Sequence, residues 1–191
     1  MKLFHKLLTA LVIATFTASV ASAAPVPAKK QRQTPQCIYL TAVEAHDLVK
    51  KDPSKVLFID VRTPYELEYV GYTDMIDKNI PIAFKTDKKW NEKKSRFARV
   101  FNKDFVAQVE AAFAKKGLTK DDMIILMCRS GDRSAYASKL MDKAGYKNVA
   151  TVVDGFEGGK DKTTYHRTVN GWKNAKLPWT YKLDKTKMYM N

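Results

Sequence analysis

The sequence predicts an α/β domain with about five mainly parallel strands and helices on both faces of the sheet. Short apolar runs alternate with amphipathic stretches along most of the chain, which is typical of strand–helix–strand units. The runs 56–61 and 123–127 are apolar at nearly every position, as expected for strands that helices cover on both faces. Such a sheet has right-handed crossovers, and its ligand site lies at the carboxyl ends of the strands.

Two helices in the N-terminal half are predicted from the same capping pattern. Thr41 and Glu44 open the first helix directly after a short apolar run. Thr63 and Glu66 open the second after the run 56–61, with a proline at the first helical position. In this pattern the threonine and the glutamate three residues later bond reciprocally to backbone N–H groups at the start of the helix.

The C-terminal half contains a basic insertion and two further predicted helices. The insertion, at about 85–103, precedes a helix that begins near Asp104 and ends at Gly117. A second helix follows the run 123–127 after a short loop and ends at Gly145. The predicted strands of the sheet are 38–40, 56–61, 79–82, 123–127 and 149–153.

The first 23 residues have the features of a secretory signal peptide. A basic start is followed by an apolar segment and by small residues up to Ala23. Cleavage near Ala23 would export the mature chain, which for a bacterial protein means the periplasm. The apolar segment is shorter than the roughly 20 residues that span a membrane, and no later segment is longer, so we expect a soluble product without a transmembrane segment.

The mature chain divides into three parts. The first is predicted to be a flexible leader because it contains three prolines and no periodic apolar pattern. The length of the remainder suits a single domain followed by a short tail. The leader, the domain and the C-terminal tail are predicted at 24–36, 37–182 and 183–191.

The formal net charge is +14, and much of the excess lies in the basic insertion. Nucleic acid is the usual partner of such a charge, but an exported protein rarely meets it, so we expect no nucleic-acid binding. Small anions, an acidic envelope protein or a phosphate-rich envelope surface suit the compartment better. A solvated basic face that keeps the protein soluble is the alternative.

Cys128 is the candidate nucleophile. It comes directly after the apolar run 123–127 and directly before a helical pattern, so the loop that carries it directs backbone N–H groups and a helix N-terminus at one point. Arg129 and Arg133 add positive charge. Such a site binds anions and favours the reactive thiolate form of a cysteine.

The spacing of the loop distinguishes between reaction classes. Cysteine-based phosphatases and arsenate reductases place five residues between the cysteine and an arginine that holds a tetrahedral oxyanion. Here only four residues separate Cys128 from Arg133, and Ser134 occupies the position that the arginine would need. A loop that is shorter by one residue suits a sulfur atom carried on Cys128 better than a phosphoryl group.

These residues resemble the rhodanese sulfurtransferases. The run from Cys128 to Ser134 resembles the active loop of single-domain rhodaneses, and Asp60-Val61-Arg62 resembles an upstream signature of that family. Weaker similarities bring the resemblance to nearly the whole mature chain, from about Cys37 to Trp179. They comprise Gly71, Asn79-Ile80-Pro81, the run 153–158, Asn170-Gly171-Trp172 and Leu177-Pro178-Trp179.

The resemblance implies a three-layer rhodanese-like domain that transfers sulfane sulfur in two displacements. Thiolate Cys128 would attack the outer sulfur of thiosulfate or a persulfide, and cyanide or a thiol would then accept that sulfur from the Cys128 persulfide. Asp60 and Arg62 would support the site structurally. The substrate-binding residues that the resemblance implies are Arg129, Ser130, Gly131, Asp132, Arg133 and Ser134.

Neither a metal nor an organic cofactor is expected. The resemblance implies a reaction that needs none, and His46 and His166 lack the spacing of metal ligands. The basic insertion would influence the choice of donor or partner if it packs beside the mouth of the loop.

Two other hypotheses remain open. The domain could be a weakly active or inactive binding or sulfur-carrier module that docks on an envelope redox partner. Alternatively, Cys37 and Cys128 could form a thiol–disulfide switch, although a permanent bridge would disable the nucleophile.

Overall fold

The computed structural model describes residues 24–190 as alternating strands and helices. The predicted signal peptide, residues 1–23, lies outside this range. In chain order the elements are β1 Ile38–Leu40, α1 Ala42–Lys51, β2 Val56–Asp60, α2 Pro64–Val70, β3 Lys78–Asn79, β4 Ala83–Asn91, β5 Arg96–Phe101, α3 Phe105–Lys115, β6 Met123–Met127, α4 Asp132–Lys143 and β7 Val149–Val152.

Five of these strands form one parallel sheet in the order β1-β7-β6-β2-β3. Side chains of successive strand residues point to opposite faces, so the sheet has two apolar layers. Phe58 and Ile125 pack in the layer that α1 and α2 cover, and Leu57 and Ile124 pack in the layer that α3 and α4 cover. The predicted α/β class, with a parallel sheet and helices on both faces, is confirmed.

Both capping patterns form as the sequence predicts. The Thr41 hydroxyl accepts a hydrogen bond from the Glu44 N–H, and the Glu44 carboxylate accepts one from the Thr41 N–H. Thr63 and Glu66 make the same pair of bonds at the start of α2, where Pro64 occupies the first helical position. These bonds satisfy backbone donors that have no partner within the helix.

The basic insertion forms an antiparallel hairpin of β4 and β5 that is separate from the main sheet. The sequence predicts no strand here, because Lys and Asp interrupt the period-two alternation of a strand. In the structure the register of the hairpin shifts between Thr86 and Trp90. The predicted strand 79–82 is correspondingly short, since only Lys78–Asn79 pairs with β2. The Phe101 ring packs on Tyr136 of α4 with the ring centroids 4.9 Å apart.

The segment 24–36, which the sequence predicts as a flexible leader, lies against α4 in the structure. The Arg32 guanidinium lies 2.6 Å from the Asp132 carboxylate. The Gln36 amide accepts a hydrogen bond from the Ser138 hydroxyl at 2.9 Å and donates to the Ser138 carbonyl at 3.2 Å. Local composition suggested flexibility because these partners lie about a hundred residues away and are invisible from the segment itself.

The C-terminal residues up to 190, predicted as a short tail after the domain, pack against the domain in the structure. The Lys187 carbonyl accepts a hydrogen bond from the Asn79 N–H at 2.7 Å, and the Thr186 carbonyl accepts one from the Lys78 ammonium at 2.9 Å. Met188 is buried. The segment therefore runs beside β3, where an uncovered sheet edge would present unpaired backbone groups. In the range 24–190, no helix has both the length and the apolar character to cross a membrane.

Candidate active site

Cys128 lies at the carboxyl end of β6, in the middle of the sheet, with only 1% of its surface exposed. Its sulfur accepts a hydrogen bond from the Gly131 N–H at 3.2 Å and lies 3.6 Å from the Ser134 hydroxyl oxygen. The Ser134 hydroxyl also donates to the Gly131 carbonyl at 3.2 Å. The loop therefore surrounds the sulfur atom, which also contacts the first turn of α4 through Ser134.

Neighbouring backbone groups fix the orientation of the loop peptides. The Cys128 carbonyl accepts a hydrogen bond from the Phe156 N–H at 2.8 Å, and the Arg129 carbonyl accepts one from the Glu157 N–H at 3.0 Å. In a trans peptide the N–H points away from the C=O. The N–H groups of these two peptides therefore point away from the turn after β7, which leaves them available to an anion.

The N-terminus of α4 adds further donors. Its first intrahelical hydrogen bond runs from the Ala135 N–H to the Gly131 carbonyl at 3.3 Å. The N–H groups of residues 132–134 come before that bond and have no acceptor within the helix, so they contribute partial positive charge near the thiol. These donors lie at the end of the buried strand β6, where the sequence predicts an anion site.

Two glycines permit the tight packing behind the loop. A Cβ atom on Gly155 would lie 2.5 Å from the Cys128 carbonyl oxygen, and one on Gly131 would lie 2.3 Å from the Val153 carbonyl oxygen. Both residues have a positive φ, which disfavours other side chains. No larger residue fits at either position without displacement of the loop.

Arg133 is committed to an ion pair with α2. Its two terminal nitrogens each lie 2.6 Å from one oxygen of the Glu66 carboxylate. Burial alone would raise the pKa of Glu66, but the hydrogen bonds and charge of Arg133 outweigh it and lower that pKa to about 2. Burial would lower the pKa of Arg133, and Glu66 raises it above its ordinary value. The guanidinium therefore remains charged, with its fork engaged by Glu66.

The other predicted binding residues lie around the mouth of the loop. Arg129 is half-exposed, and its Nε lies 3.6 Å from Glu157, a weak ion pair that leaves the guanidinium largely accessible. Burial would raise the pKa of Asp132, but its pairing with Arg32 lowers the pKa overall. Ser130 lines the same opening.

Asp60 and Arg62, predicted as supporting residues, form a fully buried ion pair with a shortest separation of 2.7 Å. Arg62 also donates to the Gly71 carbonyl at 3.1 Å, and its guanidinium carbon lies 4.1 Å from the centre of the Phe156 ring. Phe156 in turn donates its N–H to the Cys128 carbonyl. The pair thus supports the turn after β7, which is hydrogen-bonded to the loop.

A cleft with a volume of about 480 Å³ opens above Cys128. The basic insertion, which the sequence predicts as a candidate neighbour of the loop, does line the cleft, but no sequence pattern indicates the individual cations. They are Lys29, Lys94, Arg96, Arg99, Lys139 and Arg167. Burial first, and then the nearby charges of Arg133 and Arg96, lower the pKa of Arg99, which reflects the concentration of positive charge.

Cys37 and Cys128 are both free thiols and lie far apart. Ile38 pairs with Ala150, and Ala150 pairs with Ile125, so Cys37 lies two strands away from β6 and near its amino end. Cys128 follows the opposite end. This separation exceeds the roughly 7 Å between Cα atoms that a disulfide can bridge, so an intramolecular Cys37–Cys128 switch is incompatible with this fold.

Over residues 24–190, no group of three or more His, Cys, Asp or Glu side chains is arranged to hold a metal ion. The sheet, the cysteine at its carboxyl edge and the donor-lined loop define an α/β protein with a cysteine-based site for a small anionic group. Residues 41–162 match the family model described as a rhodanese-like domain, and the chain belongs to that family.

The chain is also similar to proteins of several organisms. An uncharacterized protein of Rickettsia conorii is 31% identical over 143 residues, which is 74% of this chain and 96% of that protein. The chloroplastic rhodanese-like domain-containing protein 9 of Arabidopsis thaliana is 26% identical over 135 residues, covering 65% of this chain and 56% of that protein. The crystal structure of Rv0390 from M. tuberculosis superposes with a TM-score of 0.56 at 25% identity, covering 75% and 97% of the two chains.

Proposed function

We propose that this protein is a sulfurtransferase that carries sulfane sulfur on Cys128. The donor is thiosulfate or a persulfide, and the acceptor is cyanide or a thiol. The observation that carries this proposal is the position of the Cys128 sulfur, which accepts the Gly131 N–H at 3.2 Å at the base of a cationic cleft. Membership of the rhodanese-like family supports it.

In the first displacement, the Cys128 thiolate attacks the outer sulfur of the donor. A bond forms between Sγ and that sulfur, the sulfur–sulfur bond of thiosulfate breaks, and sulfite leaves with the electron pair. Arg129 lies at the mouth of the loop, where its charge attracts the anionic donor and stabilises the departing sulfite. Arg133 is held in place by its bidentate pair with Glu66, so it positions the start of α4 beside the loop.

In the second displacement, an acceptor thiolate or cyanide attacks the outer sulfur of the Cys128 persulfide. The bond to Sγ breaks, and the electron pair returns to Cys128 as thiolate. The unpaired N–H groups of the loop and of residues 132–134 stabilise the negative terminal sulfur between the two steps. The complete cycle needs no external oxidant or reductant.

The mass of the intact protein after incubation with thiosulfate tests this proposal. We expect a gain of one sulfur atom, its loss on addition of cyanide, and no gain in Cys128→Ser. Cys37→Ser is the matched control, because it removes an exposed thiol at the other end of the sheet and retains the nucleophile. An unmodified wild-type protein, or a gain of sulfur in Cys128→Ser, would refute the proposal.

Export belongs to the same proposal. The predicted signal peptide supports cleavage near Ala23 and a periplasmic location. The N-terminal sequence of the protein recovered from the periplasmic fraction of a bacterial host tests it. A protein that retains residues 1–23 and stays in the cytoplasm would contradict it.

A slow binding or sulfur-carrier module for an acidic envelope protein is the second candidate function. It is favoured by the β4–β5 hairpin, where the exposed Trp90 and Phe97 lie among lysines and arginines. Cyanide-dependent turnover separates the candidates. A saturable rate of about 1 s⁻¹ or more supports the enzyme, since ordinary enzymes reach such rates, and a far lower rate supports the module.

A further inference from the structure

The cleft above Cys128 has much more positive charge than the loop itself supplies. Six cations line it in addition to Arg129 and Arg133. They are Lys29, Lys94, Arg96, Arg99, Lys139 and Arg167. Asp132 also lines the cleft and lies near Lys29 and Arg99, but its carboxylate pairs with Arg32. Within residues 24–190, no carboxylate lies within ion-pair distance of any of the six.

These cations come from four separate parts of the chain and converge on one concave surface. Arg96 and Arg99 belong to β5, Lys29 to the N-terminal segment, Lys139 to α4 and Arg167 to the segment after β7. Arg96 and Arg99 are partly buried, so their mutual repulsion is not fully screened by water. A solvated basic face would be convex and fully exposed, whereas this arrangement concentrates charge where a multiply charged anion can offset it.

The size and lining of the cleft favour an organic ligand. Its volume of about 480 Å³ lies within the roughly 300–1,000 Å³ of pockets that hold organic molecules, and thiosulfate would fill only a small part of it. Phe101 and Tyr136, which pack together, both line the cleft and both keep exposed ring surface. They provide an apolar contact beside the cations.

We propose that the preferred sulfur donor is an organic persulfide whose carrier has several anionic groups, either phosphates or carboxylates. The anionic groups bind between the β5 arginines and the cations of the facing walls, and the carrier contacts the Phe101 and Tyr136 rings. The terminal sulfur reaches Cys128 at the base of the cleft. This inference rests on the proposed sulfurtransferase function and specifies its substrate class.

The transfer step balances without any further reagent. The Cys128 thiolate attacks the terminal sulfur of the persulfide, and a new bond to Sγ forms. The sulfur–sulfur bond of the donor breaks, and the carrier leaves as a thiolate with the electron pair. One cysteine persulfide and one carrier thiolate result, with no net oxidation or reduction.

The test compares three donors on two double variants. Thiosulfate, glutathione persulfide and coenzyme A persulfide represent an inorganic donor, a carboxylate-bearing donor and a phosphate-bearing donor. Arg96→Gln/Arg99→Gln removes two charges from the cleft, and Lys88→Gln/Lys89→Gln removes two exposed charges of the same hairpin that do not line it. The second variant therefore controls for net charge and for long-range attraction.

We expect an organic persulfide to show a lower KM than thiosulfate in the wild type. Arg96→Gln/Arg99→Gln should raise that KM about tenfold or more, as expected for the loss of two charge-assisted contacts, and change the thiosulfate KM much less. Lys88→Gln/Lys89→Gln should change neither by more than about twofold. The organic donor with the lower KM identifies the anionic group that the cleft prefers.

The inference is overturned if thiosulfate is the better donor, if the two double variants behave alike, or if Arg96→Gln/Arg99→Gln affects all three donors equally. Failure of the proposed function has a different signature, because no donor would then yield a Cys128 persulfide. Calorimetric titration of Cys128→Ser with coenzyme A and with glutathione measures carrier binding without any sulfur transfer. Absence of binding by both carriers would also overturn the inference.

Discussion

The Cys128 loop and the β4–β5 hairpin line the same cleft but are built in opposite ways. In the loop, carbonyl groups are hydrogen-bonded to the turn after β7, Arg133 is paired with Glu66, and the Cys128 thiol is buried. In the hairpin, Arg96 and Arg99 have no carboxylate partner among the described residues, and large apolar side chains such as Trp90 are half-exposed. Contacts within the domain fix the conformation of the loop. The hairpin instead presents arginines without a carboxylate partner, which an external ligand can bind.

This difference assigns the two regions separate tasks in the functions that we propose. A reacting sulfur must be held in a fixed geometry, because small misplacements are costly in rate. A surface that selects a partner needs charges that are still unpaired, because a guanidinium already bound to a carboxylate has little left to offer a ligand. The following predictions test the rigidity of the loop, the structural use of its arginine and the independence of the hairpin.

The largest effect is expected from Gly155→Ala. The new methyl group would lie 2.5 Å from the Cys128 carbonyl oxygen and 2.6 Å from the Ser130 nitrogen, so the loop must move. We expect a loss of about 4 kcal/mol in the free energy of unfolding, from the strain of positive φ and from the overlap. Sulfur transfer should slow about a hundredfold or more. Urea denaturation and persulfide formation measured on the same protein check both effects.

Gly117→Ala is the matched control for this substitution. Gly117 also has a positive φ, but a Cβ atom there meets nothing within 4 Å. Only the backbone strain remains, so we expect a loss of about 1 kcal/mol and unchanged sulfur transfer. Equal effects at the two positions would mean that contact with the loop does not limit residue 155.

The position of the loop was predictable from the sequence, because it depends on residues that are close together in the sequence. An apolar run placed Cys128 at a strand end, and the following helical pattern placed it at a helix N-terminus, as the structure shows. The count of residues to Arg133 favours sulfur over phosphoryl chemistry in the function that we propose. The capping boxes at Thr41 and Thr63 were predictable for the same reason, since each depends on residues three positions apart.

The walls of the cleft were not predictable, because the residues that form them and contact each other are distant in the sequence. Arg133 pairs with Glu66, which is 67 residues away in the sequence, and Arg32 pairs with Asp132, which is 100 residues away. The hairpin sequence lacks the alternation of apolar and polar residues that is typical of a half-buried strand. Only the structure shows that its two strands pair, with Lys85 opposite Arg99. No local pattern shows which of many exposed cations will converge, so Arg167 and Lys139 could not be assigned to the site.

The second prediction tests whether Arg133 is held structurally. Because the folded pKa of Glu66 is about 2 and its ordinary value is 4.5, its charged form stabilises the fold above pH 4.5. Glu66→Gln leaves the Arg133 charge without its partner, and we expect a loss of about 3 kcal/mol at pH 7. The difference from the wild type should shrink as the pH falls from about 4.5 toward 2, when Glu66 itself becomes protonated. Urea denaturation across this pH range measures it.

Glu44→Gln provides the comparison, because Glu44 caps α1 as Glu66 caps α2 but forms no ion pair with any arginine in the range 24–190. The glutamine side chain can still accept the capping hydrogen bond in both variants. We therefore expect Glu44→Gln to cost less than about 1 kcal/mol. If the two variants lost the same stability, the Arg133–Glu66 pair would contribute nothing beyond the cap.

The smallest global effect is expected from Trp90→Ala in the hairpin, and it is the sharpest test of independence. The Trp90 and Phe97 rings meet edge to face at 5.3 Å, and both are half-exposed. The buried rings of Phe113 and Tyr146 meet in nearly the same geometry, with centroids 5.5 Å apart. Phe113→Ala should lower the free energy of unfolding by about 3 kcal/mol or more, because it opens a cavity beneath α3.

Trp90→Ala should lower the global free energy of unfolding by less than about 0.5 kcal/mol, because a cross-strand pair in an exposed hairpin stabilises mainly that hairpin. Hydrogen exchange should instead accelerate selectively at the amides of β4 and β5, while the amides of β6 keep their protection. A loss above about 1.5 kcal/mol, or faster exchange that spreads to β6, would make the hairpin part of the same cooperative unit as the loop. The Cys128 loop and the β4–β5 hairpin would then not be independent regions, because a change in the hairpin would alter the loop.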